Sequence, residues 1–277
     1  MLAGGAMILG ETTRRDTGSL AFTLLALEAV FGGFYVSVSR GVTPIFLVSN
    51  LGLDLKGLLE LNFIAGGLAL IVSGILYRFL KNGGREVKGR LIASLVIERL
   101  LWLSIPFAAY STPLLALTYA GAVAATVPTG VFLYSAFLTY FQGLRFKRLI
   151  AYRTMGSSIS SIAGQLTLIT ILALGEGIWK YILLYVTAFS VGLVSVGLAV
   201  LTPLKGVRIT QARSVEEEID IQAVNTFILM LLMMTGVNLL TLAWVPRLIR
   251  DLHTPDYFPA LLTAAQTLTA VTASLFW

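Results

Sequence analysis

The chain contains no cysteine and a single histidine. Without cysteine there is no disulfide, no thiolate nucleophile and no Cys-ligated metal site. The lone histidine, His253, falls in a polar connection, where it reads as a solvated side chain rather than a metal ligand. One histidine also excludes most catalytic dyads. Charge is scarce as well: 12% of residues are charged against 57% hydrophobic, with a mean hydropathy of +0.86. That is too little charge to coat a water-facing surface, so most of the surface is expected to meet lipid. No GxxxxGK[ST] loop occurs, so ATP does not drive work from this chain, and no HExxH pair marks a zinc hydrolase. Neither the paired acids nor the Ser–His pair of an intramembrane protease is present at depth. The expectation is a protein that is not an enzyme and carries no cofactor or metal.

Long apolar runs are what the chain has in abundance. A membrane span needs about 20 apolar residues at 1.5 Å of rise each. Eight stretches qualify: 19–39, 57–79, 91–110, 113–140, 150–174, 178–202, 222–246 and 257–277. They are continuous rather than alternating, which predicts helices and not barrel strands. The fold class is therefore an all-α membrane protein of about eight transmembrane helices. Net charge is +6, but the basic residues sit in short connections, which points to membrane topology and not to nucleic acid. With the N-terminus inside, the inner connections hold Arg14 and Arg15, then Arg78, Lys81, Arg85, Lys88 and Arg90. They also hold Arg145, Lys147, Arg148, Arg153, Lys205, Arg208 and Arg213. The outer ones hold only Arg40, Lys56, Lys180, Arg247 and Arg250. The positive-inside rule then places the N-terminus in the cytoplasm and the protein, multi-pass, in the cell membrane. No cleavable leader is expected, because Arg14 and Arg15 follow the short apolar start and do not precede it.

The first pair of spans organises the rest. Residues 19–39 are followed by a stretch read as an outer loop, Arg40 to Lys56, and then by 57–79. This layout returns weakly later in the chain, with Gly33 matching Gly236, Leu58 matching Leu261, Leu59 matching Leu262 and Pro44 lying one residue off Pro246. Two similar halves are implied. The longest connection, 204–221, is mixed in charge, with Glu216, Glu217, Glu218 and Asp220 after its basic residues. The predicted organisation is a cytoplasmic segment 1–18, a six-helix bundle 19–203, a linker 204–221, and a second bundle begun at 222–277.

Six spans, a charged linker and a restarting pattern resemble the major facilitator superfamily. The residues that carry the resemblance are Thr43-Pro44-Ile45-Phe46-Leu47 through Gly57-Leu58-Leu59, the basic connection after the second span, and Arg145 to Arg153 leading into Gly156 and Gly164. The family's signature in that basic connection is roughly Gly-x-Leu-x-Asp-Arg-x-Gly-Arg-Arg. Here it reads Gly74-Ile75-Leu76-Tyr77-Arg78-Phe79-Leu80-Lys81-Asn82-Gly83-Gly84-Arg85, which keeps Gly74, Leu76 and a Gly-Arg pair but lacks the aspartate. The resemblance implies twelve helices in two bundles, so eight spans suggest a fragment or a truncated chain. It also implies a cavity lined by the first helix, with the third helix peripheral.

Charged and polar residues at membrane depth are the candidate pathway. Glu28 lies in the first span, where a bare carboxylate costs about 2.5–3.5 kcal/mol on insertion scales. Helical spacing groups it with Phe31, Gly32 and Tyr35. Thr126 and Thr129 flank Pro128 in the fourth span, where a kink frees backbone carbonyls. Gln165 sits in the fifth span among Ser157, Ser160, Ser161 and Gly164, small residues that suit close helix packing. Asn225, Asn238 and Gln266 repeat the argument more weakly. Arg78 and Arg85, with Glu98 and Arg99 in the third span, read as structural or gating charges. Neighbours in a helix point about 100° apart, so Glu98 and Arg99 are expected to meet other helices and not each other. Trp179, Trp244 and Trp277 read as interfacial anchors, and Trp102 as a packing residue.

The resulting expectation is a secondary transporter of a small solute that works by alternating access, with protons coupled through Glu28. A non-transporting membrane protein, a truncated relic or an assembly partner, is the reading from another class. Because the chain has no native cysteine, single cysteines report topology cleanly. Asn82→Cys and Ser214→Cys are expected to react with a membrane-impermeant maleimide only after the membrane is opened; labelling of either in intact cells would invert the topology.

Overall fold

The computed structural model describes residues 4–81, 86–204, 240 and 242–274. It is all-α, with no β-strand among the described residues. The helices are α1 (Gly4–Ser49), α2 (Leu55–Lys81), α3 (Lys88–Ala108), α4 (Thr112–Tyr140), α5 (Gly143–Leu174) and α6 (Trp179–Leu201). After them come a π-helical turn (Arg247–Asp251) and α7 (Phe258–Ser274), which occupies the eighth apolar stretch. Six of these helices are long and apolar enough to cross a membrane, which supports a multi-pass membrane protein. Most of the seventh stretch and the linker, including Asn225 and Asn238, lie outside the described residues, as does Arg85.

Lipid explains the surface. In its most apolar window α2 is only 11% buried. It presents Phe63, Leu70, Ile71 and Ile75 outward. An apolar face that large is stable only against another apolar phase.

The first helix departs from expectation at both ends. It starts at Gly4 and runs to Ser49, so residues 40–49 are helix and not loop, with Pro44 inside. A proline removes one helical hydrogen bond, a loss that membrane helices tolerate when neighbours saturate the region. Here the Thr43 hydroxyl bonds the Ser39 carbonyl at 2.7 Å and lies 2.7 Å from the Tyr185 hydroxyl of α6. The true turn is residues 50–54. Gly52 takes φ +66° there, a left-handed conformation that glycine adopts without strain, and the Leu53 N–H closes the helix end on the Leu47 carbonyl at 3.0 Å. Asp54 then caps α2 by accepting from the Gly57 N–H at 2.8 Å. Similarly, α5 begins at Gly143, so Arg145 through Arg153 lie on helix and not in a connection.

In the bundle α1 packs between α5 and α6, α3 bridges α6 and α4, α2 rests on α4, and α7 lies against α5. The α1–α5 contact depends on small residues. A Cβ on Gly33 would come within 2.7 Å of the Ser157 Cα, and one on Gly164 within 3.0 Å of the Ser37 Cβ. The Ser37 hydroxyl crosses the same seam to the Ser161 carbonyl at 2.9 Å. Small residues in place of a hydrophobic drive are how helices approach closely in lipid.

The apolar core is continuous at the end of the bundle that carries the 50–54 turn. There Val42 to Val48 meet Leu58, Ile105, Leu115, Leu172, Tyr181 and Tyr185. At the opposite, basic end it divides. One cluster gathers Leu91, Leu95, Phe132 and Val196, and a separate one gathers Ala21, Leu25, Phe137, Phe141 and Leu149. A cavity occupies the space between the divided clusters.

Gly33→Leu is expected to split α1 from α5 and destabilise the protein by about 1–3 kcal/mol, as overpacking does. Gly66→Ala, on the lipid face of α2 with open space around it, is expected to be neutral. Thermal unfolding of both variants in detergent checks the pair; an equal loss in both would mean that the seam is not close-packed.

Candidate functional site

The cavity lies between α1, α3, α4 and α5, has a volume of about 540 Å³ and runs from mid-bundle toward the basic end. Its walls carry five charged side chains: Glu28, Arg40, Glu98, Arg99 and Arg153. Thr126, Thr129, Ser157, Ser158 and Ser161 add polar groups, and Thr267 of α7 reaches the rim. Apolar Leu95, Leu133 and Phe137 complete the lining.

The ion pairs are built from neighbouring helices. Arg153 of α5 places its Nη1 2.7 Å from the Glu28 Oε2 of α1. The same Nη1 also donates to the Leu25 carbonyl. The Arg153 guanidinium also stacks over Phe137, 4.6 Å from the ring centre. On the other wall, Glu98 lies 3.5 Å from Arg99 and 3.9 Å from Arg40. Thr129 sits beside Glu98.

Arg99 is the most completely held. It donates to the Gly192 carbonyl at 3.3 Å, the Leu95 carbonyl at 3.3 Å and the Ser195 hydroxyl at 3.0 Å. Its guanidinium lies 4.6 Å from the Tyr35 ring centre. It thereby fastens α3 to α6 and to α1. A buried charge costs several kcal/mol unless it is paired and hydrogen-bonded, and Arg99 meets both conditions.

A smaller pocket of about 220 Å³ adjoins the cavity at Arg40, which lines both. Gln165, Trp244, Pro44 and Thr263 line it, with an apolar wall of Val36, Ile45, Leu168, Val245 and Ala260. The Gln165 Oε1 and the Trp244 Nε1 are buried there without hydrogen-bond partners.

Several expectations shift. Glu28, Thr126 and Thr129 do line the cavity, although both threonine hydroxyls donate to their own helix, to Val123 and Ala125. Phe31 does not line it, and Tyr35 is buried behind the wall under Arg99. The cavity face of α1 is instead Glu28, Gly32, Val36 and Arg40 at i+4 spacing, with Ala29 and Gly33 beside them. Gln165 lies in the adjoining pocket and not in the main one. Glu98 and Arg99 line the cavity, so α3 is not peripheral, and the two approach each other within ion-pair range despite their angular separation. Long side chains that bend off the helix axis account for this. Arg78 is exposed at the far end of α2, away from the cavity. Trp244 packs against the core and lines the pocket, and Trp102 packs as expected, edge-on to Tyr119 at 6.2 Å.

Arg40 and Arg153 are the residues that sequence reasoning misses, since composition counts both as loop charges. A signal exists for Arg153: two acidic residues at depth need counter-charges, and Arg99 supplies only one. Among the described residues no group of three His, Asp or Glu side chains is gathered that would hold a metal ion.

No protein-family model, no curated protein and no solved structure matches this chain.

Arg153→Leu is expected to leave Glu28 uncompensated and to cost about 3–5 kcal/mol of stability, part of which is recovered by adding Glu28→Gln. Melting of the single and double variants in detergent measures the coupling; strictly additive losses would mean that the pair contributes nothing.

Proposed function

We propose that this chain acts as a secondary transporter of a small solute in the cell membrane, of the major facilitator type. The observation that carries the reading is the cavity itself: five charged side chains around about 540 Å³, inside helices otherwise suited to lipid. Charges at this depth are costly, and their usual reason is a pathway for a solute or ion. Lipid-facing stability alone would be better served by an apolar wall.

Three further features agree with alternating access. The core is continuous at one end and divided at the other, as in a bundle closed on one side of a midplane site. The closed end is latched by contacts that can break. Arg250 donates to the Gly52 carbonyl at 3.1 Å, while Lys180 and Tyr181 hold Asp256 at 2.5 and 2.6 Å. These contacts tie the π turn to the α1–α2 turn and the segment after it to α6. Finally, α2 starts at Leu55 and α7 at Phe258, the same offset that relates Gly33 to Gly236 and Leu58 to Leu261, which fits a repeated half.

Glu28 is the proton-coupling group in this reading. It is buried on the cavity wall, and its counter-charge, Arg153, sits on a different helix. A rearrangement that separates the pair would leave the carboxylate without its counter-charge.

The test is flux. The chain is reconstituted in liposomes, and uptake of a panel of labelled small anions, cations and neutral solutes is followed with and without an imposed proton gradient. Gradient-dependent uptake of at least one solute is expected, with coupling abolished in Glu28→Gln while the variant stays folded. Ordinary coupled uptake by that variant would remove Glu28 from the mechanism. Absence of any flux from folded protein would favour the non-transporting reading.

A further inference from the structure

We infer that the solute is an organic monoanion with an apolar body, held by Arg40 where the cavity and the smaller pocket meet; the inference rests on the transport reading above. The argument begins with charge. Around the cavity stand two carboxylates, Glu28 and Glu98, and three guanidinium groups, Arg40, Arg99 and Arg153. Arg153 answers Glu28, and Arg99 answers Glu98 at the shorter distance. Among the described residues Arg40 is the cation in excess. It reaches Glu98 only at 3.9 Å, its side chain is 47% exposed, and its other neighbour is the Trp102 ring at 6.0 Å.

Among the described residues, no acidic side chain other than Glu28 and Glu98 lines the cavity or the pocket. Residues 221–246 and 258–277 contain no acidic side chain. A guanidinium left in excess and half-exposed to the cavity favours an anion, above all a carboxylate, whose geometry it matches in a bidentate fork.

The adjoining pocket describes the remainder of the solute. Its volume is about 220 Å³, and Ile45, Leu168, Val245 and Ala260 make it largely apolar. Polar groups are few and unfilled. The Gln165 Oε1 and the Trp244 Nε1 are buried without partners. Pro44 has no N–H, so the Arg40 carbonyl also lacks its helical donor. An apolar pocket with a small number of unfilled polar groups and one cation at its mouth is the composition of a small-molecule site. Trp244 and α7 close this pocket from the second half of the chain, so an anion on Arg40 with its body in the pocket contacts both halves at once.

Benzoate and hexanoate are the probes, with benzamide and benzylamine as neutral and cationic matches for benzoate. Binding to the full chain in detergent is measured by titration calorimetry. Saturable binding of at least one monoanion is expected, with benzamide and benzylamine weaker by about tenfold or more, the loss of one charge-assisted contact. Arg40→Gln is expected to lose the anion preference and Arg40→Lys to keep most of it. If Arg40→Gln fails to fold, the wild-type comparison and Arg40→Lys still decide. Benzylamine binding as well as benzoate, no binding of either monoanion, or unchanged benzoate affinity in folded Arg40→Gln would each overturn the inference. Flux separates this from the wider reading. Uptake of only cations or neutral solutes removes the monoanion and leaves transport standing, whereas monoanion binding without flux of any solute does the reverse.

Discussion

A charge inside a lipid-facing bundle is costly unless a counter-charge or hydrogen bonds meet it. The contact between Arg153 and Glu28 meets that constraint, and the packing around it depends on the pair. It joins α5 to α1 at the level where the two helices are already forced close by Gly33 and Gly156 on one another's faces. Small residues bring the backbones together, and the ion pair selects the register. Beyond this level, toward the 50–54 turn, Ser37, Gly164 and Leu168 continue the seam into the main core.

The same constraint explains the cavity. If the charged groups were deleted, the facing walls of α1, α3, α4 and α5 could close on apolar side chains. With Glu28, Arg40, Glu98, Arg99 and Arg153 placed on those walls, closure would bury groups that each need several partners. The core instead divides into two clusters at the basic end, one on α3, α4 and α6 and the other on α1, α4 and α5. Arg99 stiffens the first by tying α3 to α6, and Arg153 stiffens the second by tying α5 to α1.

Legibility in the sequence varies by element. The six long spans are readable because continuous apolar composition has one stable outcome in lipid, and short connections at 109–111 and 175–178 leave little freedom. The end of α1 is not, because Arg40 and Pro44 both normally mark a helix boundary. Each is accommodated here by tertiary neighbours, Glu98 for the arginine and the Thr43–Tyr185 contact for the helix around the proline. Glu28 stands out as an acid at depth, but its partner lies 125 residues on, in a stretch that composition alone assigns to a basic loop. Tyr35 shares a nominal helix face with Glu28, yet α6 approaches so closely at Gly192 that the ring is drawn behind the wall.

What the sequence by itself determined is the solvent and the scaffold: hydrophobic runs of spanning length, almost no charge to spend on a water-facing surface, and small residues where helices must touch. These come from composition and local periodicity, which need no knowledge of neighbours. Tertiary structure alone decided which charges meet. Pairing depends on which helices adjoin and at what register, and five ionisable side chains from three helices became one site only when α1 was set between α5 and α6 with α3 beyond it.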